Sequence, residues 1–210
     1  PAGAGADVSA VDSGLALMGG DPTGVALTGP AVPGGLAIKI FPCCYALQRP
    51  ISAVADLARH GVDPASVDRV VFRTPKATVT PLIHHRPDTG LKAKFSIEYA
   101  AATALLDAHQ GFASFTDEGA QRPEARRLVE LVEVQLSTEG DGLLAGELEV
   151  EVHAAGAVFR NRSQFPPGSP QRPPTHEELM RKVGDCLVGT SLDPESINWG
   201  SAREILHRYL

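Results

Sequence analysis

Basic residues are in the minority, with 19 Lys and Arg against 25 Asp and Glu and a formal net charge of −6. They form no basic cluster with interleaved aromatics, which argues against a nucleic-acid partner and against an anionic membrane surface. Cysteine is scarce as well. Cys43 and Cys44 are neighbours whose alpha carbons stand about 3.8 Å apart, too close for an ordinary disulfide, and Cys186 is remote in sequence. Without a Cys-x-x-Cys pair, these 3 thiols do not suit a structural zinc site. No apolar run approaches the roughly 20 residues that a membrane-spanning helix needs. The opening residues Pro1-Ala2-Gly3-Ala4 lack a basic region followed by a hydrophobic segment, so the expectation is an intracellular, cytoplasmic protein.

What is present reads as globular. Of 210 residues, 43% are apolar, enough for a core, and 21 Gly with 17 Pro fall short of a disordered composition. Residues 1–35 are rich in Gly and small residues and read as a connector, with one short helix over Val8–Met18. Ile51, Val54, Ala55 and Ala58 recur at helical spacing before Gly61, and Val67–Arg73 reads as a strand. Lys76–Gly90 reads as a loop. Lys94–Ala108 carries apolar residues on two stripes and predicts a helix buried on two sides. A helix from Arg122-Pro123 to about Glu130 precedes a strand over Val132–Leu136. In Leu144–His153, Leu148, Val150 and Val152 alternate with Glu147, Glu149 and Glu151, as a strand with one wet face requires, and Ala154-Ala155-Gly156 turns it into a hairpin. Thr175 and Glu178 form a capping box opening a helix, and Ser201 with Glu204 forms another. The predicted fold is α+β: a mostly antiparallel sheet packed with helices over residues 36–168, then a helical tail over 169–210.

The most unusual stretch is Gly35–Tyr45, where Lys39 interrupts an apolar run that Pro42 stops. Two readings compete for Lys39. Flanked by Ile38, Ile40 and Phe41, the ammonium loses water and becomes a base or a carboxylate anchor; alternatively its methylenes thread past apolar neighbours and the charge stays wet. His84 and His85, bracketed by Pro81 and Pro87, fit a solvent-facing or substrate-facing loop better than a metal site, because adjacent side chains diverge. Ser96 and Tyr99 stand where each can point a hydroxyl at a site; for Tyr99 the alternative is a core aromatic with its hydroxyl at the rim. An acidic protein that binds a small anion must concentrate its cations, and Lys39, Arg49, Arg86, Lys92 and Lys94 are the candidates.

Lys39-Ile40-Phe41-Pro42-Cys43-Cys44 resembles the Lys-x-Tyr/Phe-Pro-Cys-Cys signature of the MmgE/PrpD family. Further matches follow in order: Arg86-Pro87 into Ala93–Tyr99, then Pro167-Gly168-Ser169-Pro170, then Pro174-Thr175 through Glu177-Glu178-Leu179 and Lys182. In many relatives the cysteines are followed by a histidine and an Ile-Asp pair; here those places hold Gln48, Ile51 and Ser52. The resemblance implies the C-terminal portion of a lyase or isomerase that works without metal or cofactor on small di- or tricarboxylates, as 2-methylcitrate dehydratase of propionate metabolism does. It implies a homo-oligomer, most simply a homodimer, and a large helical domain as partner, residues 1–35 being the link to it. Lys39 is then the catalytic candidate, and Arg86, His85 and Lys94 are candidates for holding substrate carboxylates. The alternative is a non-catalytic remnant or dimerisation module.

Overall fold

A computed structural model describes residues 35–138 and 146–193 of the protein. The helix expected over Val8–Met18, the start of the Leu144–His153 stretch and the Ser201–Glu204 box lie outside the described residues. Residues 1–36 and 37–210 separate into two units, and every element described lies in the second.

A 3-10 turn, Tyr45–Leu47, leads into α1, Gln48–Arg59. Pro50 is tolerated because it sits in the first turn, where backbone N–H groups have no intrahelical acceptor. Gly61, at φ +98°, closes the helix in the left-handed region. The Asp63 side chain accepts a hydrogen bond from Ala65 N and turns the chain into β1, Val67–Pro75. The next stretch contains a short helix, α2 (Lys76–Val79), that the loop reading lacked. The helix expected over Lys94–Ala108 is the shorter α4, Ile97–Leu106, set off from a separate short helix before it, α3, Gly90–Ala93. The break has a local cause, since the Ser96 hydroxyl accepts from Tyr99 N and so caps α4 there. Then come α5 (Asp117–Gln121), α6 (Pro123–Val129), β2 (Val132–Ser137), β3 (Leu148–Ala154), β4 (Ala157–Ser163) and α7 (His176–Leu187). The predicted box at Thr175 and Glu178 caps α7 in both directions.

The sheet order is β2-β1-β3-β4, with β1–β2 parallel and both other pairs antiparallel, so the α+β reading holds. The parallel pair is possible because α2 to α6 form the crossover between β1 and β2. On one face, Phe72 lies between Val134 and Val150, and Val70 between Val132 and Val152. Against this face pack α1 and α4, burying Leu47, Ile51, Val54, Tyr99 and Leu128 together with Phe72. Each such side chain contributes about 1.5–3 kcal/mol of transfer free energy. The opposite face is wet and carries a ladder of charges: Arg69 on Glu133, Arg73 on Glu151, Arg160 on Glu151 and Arg162 on Glu149. Arg73 and Arg160 hold the Glu151 carboxyl down to about 2. The alternating glutamates thus partner arginines across the strands. Among the described residues, no helix is long and apolar enough to cross a membrane.

Asp107 ties α4 to the segment after it. Its carboxylate accepts from Arg122 Nη1 (2.7 Å), Thr103 Oγ1 (2.6 Å) and Ser114 Oγ (2.6 Å). Burial raises its pKa, but the hydrogen bonds from Arg122, Ser114 and Thr103, with the Arg122 charge, outweigh it and leave the carboxyl below its usual range. A depressed folded-state pKa gives stability that is full above the unfolded value and is lost as pH falls through the folded one. Asp107→Asn is therefore expected to cost about 2 kcal/mol in urea denaturation at neutral pH. The deficit should shrink in acid, where the wild-type carboxylate is protonated too.

Candidate functional site

The segment 37–44 has no regular secondary structure and is held by bonds to distant parts of the chain. Ile38 N donates to Gly168 O at 2.9 Å. Gly168 is at φ +82°, and a Cβ there would collide with the Ile38 carbonyl. Only glycine allows this approach, which accounts for the Pro-Gly-Ser-Pro stretch. Gln48 is fully buried: its Oε1 accepts from Ile40 N and Phe41 N, both at 3.0 Å, and its Nε2 donates to Phe41 O at 2.9 Å and towards Cys43 Sγ at 3.6 Å. Cys44 N donates to Lys94 O at 3.0 Å. Three stretches far apart in sequence thus converge on the backbone that carries Lys39.

Lys39 itself is exposed. Ile40 and Phe41 turn inward, at 5% and 8% exposure, but Ile38 is 39% exposed, so the ammonium is not enclosed as the flanking residues suggested. The reason is geometric. Gln48 and Gly168 pin the backbone of this segment, and a pinned backbone can bury two side chains while leaving their neighbours outside. Lys94, half-buried at the end of α3, shares its surroundings. Burial, and after it the Cys44 thiol, push the Cys43 thiol up, while the charges of both Lys39 and Lys94 oppose this. Cys43 is an inert packed thiol beside two ammonium groups.

His85 and Arg86 gather around a different point. His84 N donates to Phe95 O at 3.3 Å, which lays the loop along the start of α4. His85 Nδ1 is 2.8 Å from Glu98 Oε1, and the other oxygen of Glu98 accepts from Ser96 Oγ at 3.0 Å. Arg86 pairs with Glu130. His85, Arg86, Glu98 and Glu130 line one cavity of about 230 Å³. The two groups of candidates are joined by residues 94–98, which hold Cys44 on one side and the histidine loop on the other.

Other candidate cations have structural work instead. Arg49 is 1% exposed, with its guanidinium donating to Gly146 O, Gln164 O and Thr78 Oγ1, and burial lowers its pKa. Lys92 pairs with Asp88 at 2.7 Å. The Tyr99 hydroxyl donates to Ser114 O at 2.5 Å, and its ring meets Phe115 edge-on at 6.0 Å, so the core reading of Tyr99 is the observed one. Among the described residues, no group of three or more His, Cys, Asp or Glu is placed to hold a metal ion. Sequence reasoning singled out the Ser96 hydroxyl but missed Glu98, to which it donates, and Glu130 as supports. Gln48 was visible only as a departure from the histidine of the family signature.

The arrangement offers two ammonium groups whose charges both reach the Cys43 thiol and, across residues 94–98, an imidazole and a guanidinium each braced by a carboxylate. Such a surface suits an anion with more than one carboxylate. A model of the MmgE/PrpD C-terminal domain matches residues 41–196, beginning two positions after Lys39. Cis-aconitate decarboxylase of Mus musculus is 27% identical over 157 residues, a stretch covering 70% of this chain and 32% of that protein. The chain therefore spans about a third of the length of the curated relative it matches.

Proposed function

Because the chain belongs to the MmgE/PrpD family, we propose that it is the second domain of a cofactor-independent lyase or isomerase for small di- and tricarboxylates, most like 2-methylcitrate dehydratase, and that it acts with a helical domain. The observation that carries this reading is the convergence of Gly168, Gln48 and the Lys94 carbonyl on the segment bearing Lys39. A backbone so held fixes where an exposed ammonium stands, and exposure leaves it open to an arriving substrate or domain. The mouse relative's name, a decarboxylase of a tricarboxylate, supports the substrate class.

In a dehydration of this type a base removes the proton beside a carboxylate, and cations stabilise the enolate-like charge. Hydroxide then leaves with a proton from an acid, as water. Lys39 is assigned the proton transfer or the charge stabilisation, and Lys94 the neighbouring positive charge. Arg86 and His85 are assigned to a second carboxylate, with Glu130 and Glu98 as their resting partners.

The test is turnover of 2-methylcitrate by the chain combined with a helical domain of the family, followed by the ultraviolet absorbance of the unsaturated product. Lys39→Ala is expected to lower kcat by at least about 100-fold. Its melting temperature should not move, because the side chain is exposed. An unchanged rate would remove Lys39 from the site. A folded chain that neither turns over nor binds any polycarboxylate with that domain present would favour the non-catalytic module.

A further inference from the structure

α7 is seated shallowly, for none of its residues is fully buried. Asp185, near its end, ties it to the loop after α4. Asp185 Oδ2 stands 2.8 Å from His109 Nε2, with both side chains half-buried. The same carboxylate lies against Gly111, where a Cβ would collide with it. Gly111 is extended, at φ −94° and ψ −163°, so the missing side chain makes room for Asp185 rather than for a special backbone. A cavity of about 50 Å³ lies between Glu178 and Arg181 of α7 and Ile40 and Phe41, with His109 and Arg59 of α1 at its wall. The other charges near His109 are engaged elsewhere. Arg59 pairs with Asp56, Arg181 with Glu177, Glu178 with Thr175 N and Arg172, and Asp107 with Arg122. Among the described residues, the Asp185 carboxylate bonds to His109 alone.

We infer that α7 is a strap beside the segment bearing Lys39, latched by the His109–Asp185 pair and loosened as the imidazole gives up its second proton. The protonated ring meets the carboxylate as an ion pair, whereas the neutral ring offers a hydrogen bond without the charge. Docking of α7 therefore favours the protonated ring. Its contribution is present in mild acid, where both groups are charged, and falls as pH rises through the titration of His109. Because α7 buries so little elsewhere, weakening this one contact shifts the opening of the strap before the stability of the whole unit. Opening uncovers Ile40 and Phe41 on the α7 side and so links the setting of the lysine segment to pH. The inference goes beyond the proposed function and asks no chemistry of Lys39, so turnover in Lys39→Ala and exchange in α7 fail independently.

The experiment is amide hydrogen exchange of the 210-residue chain at about pH 6 and about pH 8, corrected for the intrinsic exchange rate. Protection of the α7 amides from Met180 to Leu187 is expected to fall about three- to fivefold at the higher pH, while α4 and β1 keep theirs. His109→Gln retains a donor but does not titrate, so its α7 protection should be the same at both pH values. Gly111→Ala suits the extended backbone, and its Cβ displaces the Asp185 carboxylate. There α7 protection should drop about tenfold at either pH, with α4 still protected. Four outcomes each overturn the inference: α7 protection indifferent to pH in the wild type, a pH dependence that survives in His109→Gln, an undisturbed α7 in Gly111→Ala, or α4 loosening in step with α7.

Discussion

Gly168→Ala is expected to be among the most destabilising single substitutions in the protein, costing at least about 3 kcal/mol in urea denaturation. Two penalties add. At φ +82° a residue with a Cβ loses about 1–2 kcal/mol in the left-handed region. The added carbon also stands where the Ile38 carbonyl oxygen is, so the chain must separate there and give up the bond from Ile38 N to Gly168 O. Gly61 is the internal control. It has φ +98°, but nothing lies within 4 Å of where its Cβ would stand, so Gly61→Ala carries the dihedral penalty alone, about 1 kcal/mol. Equal costs at the two positions would mean that the close approach to Ile38 contributes nothing. The Ile38 amide should also lose hydrogen-exchange protection in Gly168→Ala and keep it in Gly61→Ala.

Gln48→Leu is expected to cost about 4 kcal/mol. The leucine fills much of the space but leaves the Ile40 and Phe41 N–H groups without the amide oxygen that satisfies them, and leaves the Phe41 carbonyl with only the bond from Cys43 N. An unpaired buried polar group costs about 1–3 kcal/mol. Gln48→His should be milder by about 1–2 kcal/mol, because imidazole restores one acceptor and one donor where the glutamine has a two-fold acceptor and an NH₂. Denaturant midpoints rank the variants, and exchange of the Ile40 and Phe41 amides locates the damage. If the leucine variant melts with the wild type, Gln48 is a passenger and the segment is held by Gly168 and Lys94 alone.

Much of the architecture was legible in the residues. Alternation of Leu148, Val150 and Val152 with glutamates gives β3 and its wet face, and Thr175 with Glu178 gives the start of α7. The parallel pairing of β1 with β2 was not legible, because a two-residue period says which face is buried and nothing about the neighbouring strand. The start of α4 is hidden in sequence because the apolar stripe runs back to Phe95, whereas the Ser96 hydroxyl decides where hydrogen bonding begins. At the site, a motif points to Lys39 but not to its exposure, since apolar neighbours in sequence need not surround a side chain in space. Arg49 shows the converse. A charge expected to face a ligand is folded inside, where two carbonyls and a hydroxyl take its hydrogen bonds. Glu98 and Glu130 left no trace in sequence, for they meet His85 and Arg86 only through the packing of α4 and α6.

The bond between Ile38 and Gly168 joins the start of the described unit to the segment between β4 and α7. During synthesis on the ribosome, the strip bearing Lys39 emerges ahead of the rest of this unit and waits for its last clasp until the whole sheet has left the exit tunnel. Closing so long a loop is slow compared with forming α1 or the β3–β4 hairpin. The amine's final surroundings are therefore assembled last, and a nascent chain halted before Gly168 would carry the signature without the architecture that positions it.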